Sequence, residues 1–143
     1  MKISTRGRYA LRVVIDLAEH SGQSRVPLKD IASRQNISLK YLEGIMTDLS
    51  KSGIVVAQHG KGGGYSLAKS PETCRVSDVL LVVEGDLAPV ACLEHGAPPC
   101  ERSSGCKTLG MWKRLHEMVM SFFDGITIAD LAESGADGFD YVI

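Results

Sequence analysis

Ser38-Leu-Lys-Tyr-Leu-Glu-Gly-Ile-Met-Thr-Asp-Leu-Ser-Lys-Ser-Gly53 runs into Ile54-Val-Val-Ala-Gln-His59 and then into Gly60-Lys-Gly-Gly-Gly-Tyr65. In the first segment Leu39, Leu42, Ile45, Met46 and Leu49 recur every three or four residues, which predicts a helix with one apolar face. Ser38 stands where an N-cap belongs and Gly53 where a helix stops. The β-branched run that follows, the glycine loop and Tyr65-Ser-Leu-Ala-Lys69 predict a hairpin. Helix, strand, glycine-rich loop and strand in that order are the pattern of a recognition helix with a β-wing. The expected fold is mainly α with a small β-wing: a winged helix-turn-helix domain plus a long C-terminal dimerisation helix.

Upstream, Pro27-Leu-Lys-Asp-Ile-Ala-Ser-Arg-Gln35 predicts a short helix with Pro27 near its first position and Leu28, Ile31 and Ala32 inward. Asn36-Ile37 leaves only a tight turn before Ser38, as a helix-turn-helix requires. Residues 4–20 form a first helix packed through Ala10, Val13, Val14, Leu17 and Ala18. Arg6, Arg8 and Arg12 crowd its start, the end where a helix dipole prefers acids. A phosphate nearby would offset that mismatch; three solvated arginines are the plainer reading.

Charge divides the chain in the same sense. Residues 1–75 carry a net +6 and residues 76–143 a net −7, although the whole chain is only −1. A basic half suits a polyanion, and an acidic half should face away from it. Ser38, Lys40, Tyr41 and Glu43 lie in the first turn and a half of the recognition helix, where a major groove is read. Glu43 can accept from a cytosine amino group, while Ser38 and Tyr41 suit phosphates. His59 and Lys61 stand at the wing tip, placed for a minor groove or for phosphates. With Arg6 and Arg8 these residues make up the expected surface for a double-stranded DNA operator. The wing is not a nucleotide phosphate loop, which needs Lys-Ser/Thr and a helix where Tyr65 and a strand stand.

Val76-Ser-Asp-Val-Leu-Leu-Val-Val-Glu84 predicts a further helix, with a strand as the alternative because the run is so apolar. Residues 85–107 turn rich in Pro and Gly and carry Cys92, Cys100 and Cys106, an irregular loop without an apolar anchor. Seven and five residues separate these cysteines, so they lack the Cys-x-x-Cys pair usual in tetrahedral zinc sites. Three thiolates on one loop can wrap an iron–sulfur cluster, with Glu94, His95, Glu101 or a second subunit as fourth ligand. Unligated cysteines or a thiol redox switch are the alternatives. From Thr108, Met111, Trp112, Leu115, Met118, Val119, Phe122 and Phe123 predict a long helix too apolar to stand alone, and hence a homodimer. The resulting division is 1–84 DNA-binding, 85–107 cysteine loop, 108–134 dimerisation helix region and 135–143 tail.

No catalytic constellation stands out: His20, His59, His95 and His116 lack metal-protease spacing, and no nucleophile elbow appears. No apolar run reaches membrane-spanning length and no signal peptide opens the chain, so a cytoplasmic protein is expected.

Several of these stretches are familiar together. Met1-Lys-Ile-Ser-Thr-Arg-Gly-Arg-Tyr-Ala10, Pro27-Leu-Lys-Asp-Ile-Ala32, Ile37-Ser-Leu-Lys-Tyr-Leu-Glu43, Gly62-Gly-Gly-Tyr65 and the cysteine loop before a Trp-bearing helix resemble the Rrf-two family. That family comprises bacterial winged helix-turn-helix transcriptional regulators of the IscR, NsrR, RirA and CymR type. The resemblance implies a homodimer on a two-fold DNA site, sensing iron–sulfur, redox or cysteine status. It places Cys92, Cys100 and Cys106 at the three cluster cysteines, of 2Fe–2S or 4Fe–4S type. The position of the IscR-type histidine ligand is Leu109 here, and that of the N-terminal acid used by other members is Arg8. The final Asp140-Tyr141-Val142-Ile143 resembles the tail with which serine acetyltransferases enter cysteine synthase. It implies that Tyr141, Val142 and Ile143 dock on that enzyme, O-acetylserine sulfhydrylase, by C-terminal carboxylate capture. The corresponding alternative is a cluster-free, CymR-like repressor of cysteine metabolism.

Overall fold

The computed structural model describes residues 1–22 and 24–135, so Tyr141, Val142 and Ile143 lie outside the described residues. Helix α1 spans Thr5–Glu19 and is capped by Ser4, whose hydroxyl accepts from the Gly7 N–H at 3.0 Å. Ala10, Val13, Val14 and Leu17 bury its apolar face at the centre of the molecule. Helix α2 spans Leu28–Gln35; Pro27 is its N-cap in extended conformation, one place earlier than its sequence suggests. Asn36 turns the chain with φ 54°, a left-handed conformation that Asn tolerates. Ser38 then caps α3, Leu39–Lys51, by accepting from the Tyr41 N–H at 3.2 Å. Leu42, Ile45, Met46 and Leu49 are fully buried as expected, whereas Leu39, the first residue of the helix, stays half exposed.

Strands β1 (Val55–Gln58) and β2 (Gly64–Leu67) pair antiparallel with Val55 opposite Leu67 and Gln58 opposite Gly64. Val26 and Tyr65 exchange two 2.8 Å hydrogen bonds, so the segment entering α2 lines the edge of the wing. Gly64 permits this approach: a Cβ there would lie 2.6 Å from the Val26 carbonyl oxygen.

The apolar run after the wing is a helix, α4, Val76–Glu84, because Asp78 caps it by accepting from the Arg75 N–H at 2.9 Å. Residues 85–107 are irregular apart from a short 3-10 turn at Ala91–Leu93. The loop does have an apolar anchor, contrary to its sequence: Leu87 is buried with Val76, Leu80 and Ile126 in a second small core. Helix α5 spans Leu109–Asp124 and buries none of its residues. Helix α6, Ile128–Glu133, turns back and packs on α1, with Ile128 and Ala129 buried. Backbone bonds Val76 N–H to Ile126 O (2.9 Å) and Ile128 N–H to Cys74 O (2.8 Å) stitch this return to the start of α4. The C-terminal stretch thus divides: α5 rests on the second core through Met120 and Phe123 and leaves its other face exposed, while α6 completes the main core through Ile128. Among the described residues no helix is long and apolar enough to cross a membrane.

Candidate nucleic-acid interface and cysteine pocket

Helix α1 holds both helices of the helix-turn-helix. At its far end Asp16, 1% exposed, receives the Arg34 guanidinium in a fork, Nε to Oδ2 at 3.0 Å and Nη2 to Oδ1 at 2.8 Å. Gln35 Nε2 adds a third bond at 2.8 Å, and His20 Nδ1 stands 3.5 Å from Oδ1. Burial alone would raise the Asp16 carboxyl, but the bonds from Arg34 and Gln35 and the charges of Arg34 and His20 outweigh it. The carboxyl is held below the ordinary carboxylate range, so α1 and the end of α2 are joined by a charged pair. At its near end α1 reaches α3, where Arg6 Nη2 donates to the Gly44 carbonyl at 3.0 Å and to the Asp48 carboxylate.

Arg6 therefore turns inward, onto the recognition helix, whereas its neighbour Arg8 is exposed and donates to Thr5 Oγ1 at 3.0 Å. Lys40, Tyr41 and Glu43 are exposed on the first turns of α3, beside the capping Ser38. Tyr41 meets Tyr9 of α1 edge to face, with ring centroids 5.8 Å apart. The Arg12 guanidinium lies 5.0 Å from the Tyr9 ring centre and donates from Nε to Gln35 Oε1 at 3.1 Å. Thr5, Tyr9, Asn36, Ile37, Ser38 and Tyr41 line a shallow cavity of ≈ 270 Å³ at the mouth of α3. Hydroxyls, N-terminal helix amides and two nearby arginines make this a surface suited to a phosphate. Tyr9 and Arg12 extend the expected set; their three-residue separation on α1 was the signal that placed them on one face. The wing presents His59 and Lys61 exposed on a turn in which Gly60 and Gly62 have φ of 99° and 77°. A side chain at either glycine would strain that turn.

The three loop cysteines come together. Cys92, Cys100 and Cys106 line one pocket of ≈ 240 Å³ with Leu93, Pro99, Ser103, Leu109 and Lys113. Bonds to Cys106 from the Thr108 hydroxyl (3.5 Å) and N–H lower its thiol below the usual cysteine range. Cys74 is different in kind: it is fully buried in the main core, and burial pushes its thiol up. Cysteine sulfurs gathered on one pocket are the donor type of an iron–sulfur cluster, and this set supplies three donors where a cluster takes four. Leu109 has no donor for the fourth. Among the described residues no three His, Cys, Asp or Glu side chains are already drawn around a single ion position.

Asp86 organises this loop, its carboxylate accepting from the Ala88 N–H and the His95 N–H at 2.7 Å each. The apolar face of α5 adjoins it in sequence, with Met111 (54%), Leu115 (36%) and Met118 (59%) exposed at helical spacing.

Comparison with known proteins agrees with this geometry. Residues 3–134 match the family model Rrf2, described as iron-dependent transcriptional regulator. The HTH-type transcriptional regulator IscR of Aliivibrio salmonicida is 38% identical over 131 residues, 92% of this chain and 77% of that protein. Among solved structures, CymR, the global cysteine regulator of B. subtilis, superposes with a TM-score of 0.76 at 36% identity. That match covers 92% of this chain and 96% of CymR. T. potens IscR superposes with a TM-score of 0.72 at 34% identity, over 92% of this chain and 85% of its own.

Proposed function

The chain belongs to the Rrf2 family of transcriptional regulators, which are not enzymes, and we propose that it senses iron–sulfur or redox status through Cys92, Cys100 and Cys106. The observation that supports this reading is the convergence of those three cysteines, otherwise spread over fifteen residues, on one pocket. Cys92, Cys100 and Cys106 would hold the cluster, with the fourth donor drawn from Glu94, His95, Glu101 or a second copy of the chain. A bound cluster supplies a centre whose stability and charge respond to oxidants and to iron supply. Lys113 brings a positive charge to the same pocket, which complements the negative charge of a thiolate-ligated cluster.

DNA recognition is assigned to Ser38, Lys40, Tyr41 and Glu43 in the major groove, with Arg8, His59 and Lys61 on phosphates or the minor groove. The chain acts as a homodimer through the exposed face of α5, which gives a two-fold site and half-sites about one helical turn apart. It works in the cytoplasm, where its operator is. Cluster state and operator affinity are then linked reciprocally, each changing the other by the same factor.

The test is an absorption spectrum with iron and sulfide analysis on protein purified without oxygen. Visible charge-transfer bands are expected, and they should disappear in Cys92→Ala, Cys100→Ala and Cys106→Ala but persist in Cys74→Ala. A colourless protein that resists reconstitution would sink the cluster reading.

A second reading takes its support from the likeness to CymR over nearly that protein's whole length. In it the thiols hold no cluster, and cysteine synthase controls the repressor by docking on Tyr141, Val142 and Ile143. Calorimetric titration of the chain with cysteine synthase decides it: binding abolished by deleting Ile143 supports this reading, and unchanged binding removes it.

A further inference from the structure

Two carboxylates flank Gly85, and each holds a different part of the chain. Asp86 holds the cysteine loop through the Ala88 and His95 N–H groups. Glu84 holds α1: its Oε1 accepts from the Ser4 N–H at 2.9 Å and from the Ser4 hydroxyl at 2.7 Å. Ser4 in turn caps α1 through Gly7 N–H. Two residues further, Arg6 grips the Gly44 carbonyl and the Asp48 carboxylate of the recognition helix. Gly85 between the acids has φ 80°, a left-handed conformation that lets the backbone reverse between the two anchors.

The fit of Glu84 against α1 is close. A Cβ on Gly7 would stand 2.2 Å from Glu84 Oε1, so the carboxylate occupies the space that a side chain would take. Glu84 lies near an N-terminus, where a negative charge is favoured. It therefore acts on the turn that carries Arg6, and on nothing that would touch DNA directly.

We propose that Glu84 is a positioning residue for DNA recognition, acting through Ser4 and Arg6 on Gly44 and Asp48 of α3. This rests on the DNA-binding reading of α3. In this arrangement Arg6 is a brace rather than a phosphate contact.

The test uses the full chain as wild type, Glu84→Ala, Glu84→Gln, Gly7→Ala and Arg6→Gln, all checked for folding by circular dichroism. Amide exchange is followed over residues 39–51. Affinity and its salt dependence are measured on a duplex selected from a random-sequence pool by the wild type. Glu84→Ala should speed exchange in α3 and weaken binding on the order of tenfold, with an unchanged salt slope, because no phosphate contact is lost. Gly7→Ala, which expels the carboxylate while improving helix propensity, should do the same. Glu84→Gln keeps an acceptor oxygen for Ser4 but loses the charge, and should fall between the wild type and Glu84→Ala. Faster exchange confined to residues 4–8, with α3 and affinity untouched, would overturn the proposal, as would a salt slope reduced by about one phosphate in Arg6→Gln. If the wild type selects no duplex, the DNA-binding reading fails, and exchange in α3 still decides the relay.

Discussion

Removing Arg34 tests the charged joint between α1 and α2 most sharply. Arg34→Ala leaves the Asp16 carboxylate 1% exposed with only Gln35 and His20 beside it. Breaking a buried pair by losing one partner costs about 3–5 kcal/mol, because an uncompensated charge stays behind. Arg34 itself is 34% exposed, so solvent already screens part of the pair and about 2–3 kcal/mol is expected. Asp16→Asn should cost less, about 1 kcal/mol, because the guanidinium it releases can turn to water and the amide oxygen still accepts. The pH dependence gives the sign. In the wild type the Asp16 carboxyl is held low, so its contribution is complete above about pH 4 and is lost as pH falls through the lower folded value. Without Arg34, burial becomes the dominant influence and raises the carboxyl. The folded variant then takes up a proton before the unfolded chain does, and its deficit shrinks as pH falls from 7 towards 4.5. Urea unfolding of the three proteins at both pH values measures this. A deficit equal at both pH values, or an Asp16→Asn cost equal to that of Arg34→Ala, would refute the argument.

Other consequences are quicker to check. Gly64→Ala should lower the melting temperature markedly, because the new Cβ meets the Val26 carbonyl backbone, whereas Gly60→Ala, strained at φ 99° but with open space around it, should cost only about 1 kcal/mol. Lys61→Ala should reduce the salt slope of operator binding by about one contact without changing sequence preference, and Glu43→Ala should relax preference at one position with the slope intact. Met111→Glu with Met118→Glu should yield a folded monomer in sedimentation experiments, since both side chains are exposed on the face of α5 that the described chain leaves uncovered; a dimer unaffected by both charges would refute α5 as the interface.

The local half of this fold can be read directly from the chain. Ser38, Asn36 and the spacing of Leu42, Ile45, Met46 and Leu49 act over one or two turns, and the structure places each as those spacings require. The run Val76–Glu84 is open to helix or strand in the sequence because a nearly all-apolar segment has little period to read; in the structure it is a helix capped by Asp78. What sequence does not display are contacts whose meaning depends on residues far away. Arg6 looks like one of three exposed arginines until Asp48, forty-two residues on, is seen to hold it. Leu87 looks like a loop residue until Ile126 and Leu80 close over it. The cysteine spacing left cluster, switch and bystander readings open, and the shared pocket is information that only the folded loop contains.

These long-range contacts converge on α1. It is tied to α2 by Asp16, to α3 by Arg6, to α4 by the Ser4–Glu84 bonds and to α6 by apolar packing. Hydrogen bonds to charged groups contribute about 1.5–3 kcal/mol each, and a good bidentate base contact discriminates by about 1–3 kcal/mol. Loss of one brace on α1 is thus of the same order as loss of one base contact on α3. A regulator built this way can change operator affinity without altering any residue that touches DNA, provided the signal reaches α1. The cysteine loop begins one residue after Glu84, so the signal proposed for it would have a short path to travel.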